Sequence, residues 1–549
     1  MGLHRWKYHI TPSVDDNWMT VSQGGDHVHS RLQGLFYATR GGSAPAVRSI
    51  ALSVCRRATH EISGSAFWGQ LWNDSQLGQR VSPIAGCWPA SPLFVTSLPG
   101  RPPSDELIDE EEPQVQIADV RSLPLEQGRR LITRHAGVFL FLPLLAQLRF
   151  DRLVTKADYS GSQIVPAINA LLSLLTLKLI DKERLSHIDD FNRDEALALF
   201  AGMNILPKKS FATDYSYRTT PNQQQELLKG WVKKLSGVLF PEANSFSLDF
   251  HTIGHRGEET DLENHYQPMR GKAGPSVLTF FAMEQKIRVV CYSNANLIRS
   301  EQSGEILRFM DFWRKLMGKN PEWLYFDSKL TTYAELSRIT KKTNVWFVTI
   351  RRRGSSILRR LSSLPSTRWE SAVIDIPRRR HQQIRFVDER VTLRDYEGEA
   401  RQIAVKGLGR KHPTLFLTNN FEASARELVM NYARRNGVED ALGSSVNFFH
   451  LDCLSSVVRL NVDLDTVLTV LANGCYRWLG SQLRGFDQSK PKALYRKFVE
   501  TSGAVEIGTG HRIMVYFDRR SHNPILREAQ LDQQCKKIPW LTSVPTLLE

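Results

Sequence analysis

The stretch Ser245-Phe246-Ser247-Leu248-Asp249-Phe250 decides how this chain reads. Phe246, Leu248 and Phe250 alternate with Ser247 and Asp249, which is the two-residue period of a strand. Residues 277–283 and 287–292 are apolar runs joined by Glu284-Gln285-Lys286, a pattern that predicts an antiparallel hairpin. Residues 305–316 carry helical spacing. Trp323-Leu324-Tyr325-Phe326-Asp327 is a short, nearly continuous apolar run, as expected of a strand buried on both faces. A helix over 332–340 and another apolar strand over 345–350 follow. The succession strand, hairpin, helix, strand, helix, strand predicts a mixed α/β core and argues against a β-sandwich.

Outward from that core the texture changes twice. Residues 120–237 read as helical. Within them, Ile164 to Ile180 is an apolar run interrupted by Asn169 and Lys178, which predicts a buried helix and not a bilayer span. Pro207-Lys208-Lys209-Ser210 then breaks the chain, and 221–235 is amphipathic. On the other side, strand signals at 372–376, 384–387, 402–405 and 414–417 predict a β-rich insertion. Helical patterns resume over 422–443, 464–479 and 492–501, and a last hairpin spans 504–517. The expected division is an N-terminal extension (1–115), a helical domain (116–240), a mixed α/β core (241–350 with 421–450), the insertion (351–420) and a helical C-terminal region (451–549).

Charge follows the same division. The 549 residues carry 72 Lys+Arg against 57 Asp+Glu, a formal +15. Residues 351–420 hold sixteen Lys/Arg and seven Asp/Glu, a surplus of nine, so most of the net charge lies in one segment. Residues 1–112 hold nine against eleven, are rich in Gly, Ser and Pro, and end in an acidic run from Asp105 to Glu112. That composition predicts a poorly ordered or loosely packed extension and a working protein shorter than the full chain. A basic balance favours a polyanionic partner, nucleic acid before membrane. Six scattered cysteines without a CxxC pair argue against zinc ribbons and disulfide frameworks. With no apolar leader at the start of the chain, a cytoplasmic setting is expected.

Two aspartates, Asp249 and Asp327, close apolar strands in this reading. An ionised carboxylate there is costly unless a cation offsets it. Two of them on neighbouring strands form a site for a hard divalent ion, which prefers oxygen ligands. The competing reading is that each aspartate opens a loop or caps the next helix. Tyr432, Arg435 and Glu439, at i, i+3 and i+7, share one helical face and bring a third acid, although a solvated face has the same spacing.

Strand-Asp, strand-Asp, then Tyr-x2-Arg-x3-Glu on a helix resembles the DDE transposases of bacterial insertion sequences. Residues 196–211, Leu248-Asp249-Phe250-His251-Thr252-Ile253, Phe326-Asp327-Ser328-Lys329-Leu330-Thr331-Thr332 and Phe448-Phe449-His450-Leu451-Asp452 are similar to stretches of such enzymes. The resemblance covers roughly 120–541. It implies an RNase H-like fold and a metal-binding catalytic triad of Asp249, Asp327 and Glu439. It further implies two Mg2+ ions per site (Mn2+ as substitute), with Asp249 bridging them. Tyr432 and Arg435 would support end binding. Double-stranded DNA, at the element's ends and at the target, is the implied substrate, cut and rejoined by a homodimer. The long second gap, 327 to 439, matches the branch with a β-rich insertion. Val446 stands where that family usually has a Lys, and Gly437 is a poor helix former. A catalytically inactive DNA-binding derivative and an RNase H-like nuclease without strand transfer are the alternatives.

Further candidates are DNA contacts. Arg351, Arg352 and Arg353, with Arg378, Arg379 and Arg380, cluster in the insertion and suit phosphates. Lys208 and Lys209 stand at a helix start, where surface solubility is the competing reading. Trp369 is a candidate for stacking on an unpaired base, against the commoner fate of a buried tryptophan. His251, His255 and His265 lack any partner pair at zinc spacing and are expected to be loop histidines.

Overall fold

The computed structural model describes residues 9–12, 18–23, 26–31 and 128–548, apart from 163, 256, 258–260, 376–382, 454–457, 509–511, 535–536 and 542–545. Two compact units result, Met1–Glu112 and Pro113–Glu549. The first contributes an antiparallel sheet of His9–Pro12, Trp18–Gln23 and Asp26–Arg31. The expectation of a loosely packed extension otherwise falls outside the described residues.

In the second unit the apolar run near residue 170 forms α1 (Ala167–Leu179), buried along almost its whole length. A capping box between Thr220 and Gln223 starts α2 (Pro221–Leu239). Its Leu227, Leu228, Trp231, Val232 and Leu235 recur at helical spacing and are buried. No described helix is long and apolar enough to cross a membrane.

The core sheet follows. Strand β1 (Ser245–Gly254) pairs antiparallel with the long β3 (Lys272–Glu284). The short β2 (Asn264–Gln267) pairs with the start of β3, and β4 (Val290–Leu297) with its end. After α3 (Glu305–Met317) comes β5 (Trp323–Phe326), parallel to β1. After α4 (Tyr333–Lys342) comes β6 (Trp346–Ile350), parallel to β5. The order β4-β3-β1-β5-β6, three antiparallel strands and then two parallel to the first, is that of an RNase H-like sheet. The mixed α/β expectation holds. Phe246 packs on Trp313 of α3, ring centroids 4.5 Å apart, and so fixes that helix to the sheet.

The insertion continues this sheet. It begins with α5 (Ser355–Ser363) and adds β7 (Glu370–Val373), β8 (Gln383–Thr392), β9 (Glu399–Lys406) and β10 (Thr414–Thr418). All four pair antiparallel, and β10 closes against β6, with Ile350 opposite Phe416. The result is one ten-stranded sheet.

Beyond it lie α6 (Ala425–Ala433), α7 (Asn436–Asn447) and the buried α8 (Arg459–Gln482), which packs against β4, α1 and α2. The C-terminal hairpin, β11 (Gly503–Ile507) and β12 (Ile513–Phe517), pairs through β11 with Arg130–Thr133. The segments expected as separate helical and C-terminal domains therefore share a sheet inside one unit.

Candidate active site

Strand register brings the two aspartates together. In the parallel pairing of β1 with β5, Leu248 lies beside Phe326, so Asp249 and Asp327 are the next positions on neighbouring strands. The sequence reading ends β1 at Asp249, and the structure corrects this. Strand β3 runs alongside β1 as far as Gly254 and keeps supplying hydrogen bonds, whereas β5 stops at Phe326. Asp249 thus sits mid-strand, at the point where its neighbour on one side gives out. Asp327 follows its strand directly, and its Oδ1 accepts the Ser328 N–H at 2.7 Å. It does not cap α4; the Thr332 hydroxyl does, accepting from the Glu335 N–H.

The third acid arrives on a broken helix. One helix over 422–443 is expected, but the chain turns at Arg434 and Arg435 between α6 and α7. Tight i to i+3 bonds carry it through: Arg435 N–H donates to the Tyr432 carbonyl and Val438 N–H to the Arg435 carbonyl. Gly437 follows the turn in the first residues of α7, beside Met283 and Arg288. A Cβ would lie 3.3 Å from Met283 Cε and 3.5 Å from Arg288 Nε.

The break preserves the shared face. Arg435 donates to Asp249 Oδ2 at 2.9 Å and to Glu439 Oε1 at 3.2 Å. The Tyr432 hydroxyl reaches toward the Phe326 carbonyl, just before Asp327, at a long 3.5 Å. One buried guanidinium therefore spans two carboxylates, with the third close by. Burial first, then the Glu439 and Asp327 charges, raise the Asp249 pKa against the pull of Arg435. For Arg435, burial opposes the charge, but Asp249, Tyr432, Glu439 and Asp327 outweigh it and raise its pKa. Burial likewise pushes the Tyr432 hydroxyl up, so it stays a neutral donor.

Three carboxylates against one guanidinium leave a surplus of two negative charges, the charge of one divalent cation. The donors are all oxygen, which suits Mg2+ or Mn2+. Among the described residues, no three acidic, His or Cys side chains are yet gathered at ligand spacing. Here Arg435 holds Asp249 and Glu439, the latter with a side chain 61% exposed. The chemistry of the donors fits a metal, and Glu439 has the freedom to close on one.

The basic residues divide. Strand β6 ends at Ile350, parallel to β5, so Arg351, Arg352 and Arg353 leave the sheet at the edge where Asp327 sits. Arg351 is half-buried and donates to Gln402 at 2.6 Å, while Arg352 and Arg353 are exposed. Arg352, Ser328, Thr331, Thr332, Tyr333 and Asp395 help line a pocket of about 350 Å³ at that edge. Arg378, Arg379 and Arg380 lie outside the described residues. Lys208 and Lys209 open the short helix Lys209–Asp214 on the helical side of the unit, with Lys209 3.8 Å from Asp189. Trp369 is 6% exposed, packed with Leu361, Val387, Ala404 and Leu415, and the Lys406 ammonium lies 3.7 Å from its ring centroid. To stack on a base it must first leave this cluster.

Two features escaped the sequence reading. His251 is not a loop residue. It lies on β1, two positions after Asp249 and so on the same face, 2.5 Å from Asp452. Asp452 closes one of the motif-like stretches, which was the available signal. His265 is also on a strand, β2, beside Glu263.

No protein-family model matches this chain, and no curated protein matches it. A solved structure, the cryo-EM structure of a piggyBac transposase synaptic complex with hairpin DNA, aligns at 12% identity and a TM-score of 0.36. That alignment covers 68% of this chain and 82% of the other. The fold assignment rests on the strand order above.

Proposed function

We propose that this chain is a DDE-type transposase that cuts DNA at the ends of an insertion sequence and joins them to a target. The observation that carries this reading is the register of β1 and β5, which sets Asp249 beside Asp327 facing Glu439. Asp249, Asp327 and Glu439 would hold Mg2+, or Mn2+ in its place. When bound, such ions activate an attacking hydroxyl and stabilise the leaving oxygen of a phosphodiester displacement. Arg435 keeps Asp249 oriented, and Glu439, held by Arg435 on an exposed side chain, would complete the ligand set. Arg352 and Arg353, exposed at the same edge, hold the DNA backbone across the site. Two copies acting on paired ends complete the reading.

The test uses the full-length chain and a supercoiled plasmid carrying DNA from the borders of its gene. Nicking should require Mg2+ or Mn2+ and fall at least about 100-fold in Asp249→Ala and in Asp327→Ala, as expected when the groups stabilising the transition state are lost. Mn2+ binding, read by its paramagnetic signal, should be lost in parallel. Undiminished nicking by Asp249→Ala overturns the proposal. The Arg435 bridge favours a second reading, a DNA-binding derivative without catalysis. DNA binding without any Mn2+ binding by the wild type would establish it.

A further inference from the structure

Residues 448–452, just after α7, are fixed to the helical layer. The Phe448 and Phe449 rings pack on Tyr476 of α8, with centroids 5.2 and 5.8 Å away. The Phe449 carbonyl accepts from the buried Lys178, and His450 lies 2.8 Å from Asp181, just past α1. The Asp452 carboxylate that ends this segment meets His251 on β1. We propose that Asp452 and His251 are positioning residues, which together pin β1 to the helical layer and so set where Asp249 sits. The inference deepens the carboxylate-site reading, on which its consequence for metal binding rests.

Strand β1 has a use for such a pin. As far as Leu248 it is held on both sides, by β3 and by β5. From Asp249 to Gly254 only β3 remains, and among the described residues no strand pairs with the other edge. A strand edge without a neighbour leaves its backbone groups unpaired and loses the bonds that would hold it in place. His251 is two positions past Asp249 and on the same face. Its Nε2–H donates to Asp452 Oδ1 at 2.5 Å, within the stretch that β5 leaves unsupported. Neither side chain has another polar partner among the described residues.

The pin works with Arg435. That guanidinium holds the Asp249 carboxylate from the start of α7, at 2.9 Å, while Asp452 holds the strand from beyond the end of α7. The two contacts bracket the helix that bears Glu439, so a shift of α7 along β1 would strain one or the other. Magnitudes separate this role from a structural one. With side chains 21% and 32% exposed, the pair adds little to global stability. Outer contacts that orient metal ligands act differently, and losing one commonly weakens metal binding by about 10- to 100-fold.

The experiment compares the full-length wild type with Asp452→Ala, His251→Ala and Asp452→Asn. Backbone amide exchange, followed by mass spectrometry without metal, tests the pin itself. Exchange over 250–254 should quicken by about 10-fold in both alanine variants, while 246–248, paired on both sides, keeps its rate. The denaturant midpoint should stay near that of the wild type, which separates local release from general destabilisation. Asp452→Asn keeps an oxygen acceptor for His251 and should exchange as the wild type does. Mn2+ titration, read by its paramagnetic signal, tests the consequence. The dissociation constant should rise by about 10-fold in either alanine variant and no further in the double variant. A wild type that binds no Mn2+ overturns the carboxylate-site reading, and the exchange result still decides the pin. Unchanged exchange over 250–254 in Asp452→Ala, or alanine losses that add in the double variant, overturns the proposal.

Discussion

Two buried cations in this molecule sit in opposite circumstances. Lys178, on α1, is 3% exposed, lies 2.7 Å from Asp465 on α8, and also donates to the Phe449 carbonyl. Its charge is matched one to one and sealed between helices. Arg435 faces Asp249 and Glu439 with Asp327 close by, and the acids outnumber it. The first site is complete and ties two layers together. The second is incomplete and holds its excess charge at an open sheet edge. Buried ion pairs alone do not mark a functional centre, whereas an unbalanced cluster at an open sheet edge makes a candidate for one.

Breaking the sealed pair should have the largest effect. Lys178→Ala leaves Asp465 buried without a cation and should destabilise the fold by roughly 3–5 kcal/mol, read as a lower denaturant midpoint. The double variant with Asp465→Ala should recover much of that loss.

A neighbour on α8 sharpens the contrast. Asp463 is buried like Asp465, but its donors, Asn296 at 2.6 Å and the Ala295 backbone N–H, are both neutral. Burial raises its pKa to about 6. Its folded-state pKa exceeds its unfolded value, so the folded chain binds the extra proton. Stability should therefore fall as pH rises from about 4 to 6. Asp463→Asn keeps an acceptor for Asn296 without the charge. It should remove that fall and add on the order of 2–3 kcal/mol at neutral pH, measured by denaturation across pH.

Arg435→Met should show the smallest effect of the three, because its carboxylates are partly solvated. About 1–2 kcal/mol should be lost in chelator, by differential scanning calorimetry. Adding Mn2+ should restore it, whereas Lys178→Ala should not respond to the metal. Equal indifference of both variants would erase the distinction between the two sites.

Much of the core was legible because its elements announce themselves locally. The insertion strands read at 384–387 and 402–405 lie inside β8 and β9, and Asp249 and Asp327 stand out as charges in apolar runs. What the sequence withholds depends on pairing. Asp249 falls mid-strand because β3 outlasts β5, a relation between segments that no window reports. The turn at Arg434 and Arg435 interrupts a run that reads as one helix, and it shows only in the i to i+3 bonding of the folded chain. Pairing of Arg130–Thr133 with β11 joins residues more than 350 positions apart.

The pairing of β6 with β10 has a bearing on how this chain can change. The insertion departs at Ile350 and returns at Thr414, yet Ile350 and Phe416 face each other across one strand spacing. Its two ends are already held by the sheet, so the loop between them is a cassette. Lengthening or trimming it alters closure entropy only slowly, with the logarithm of its length. Changes in length are most easily taken at its turns, such as 407–413 between β9 and β10, because Leu393 and Tyr396 are buried against the core and Tyr396 meets Thr340 of α4.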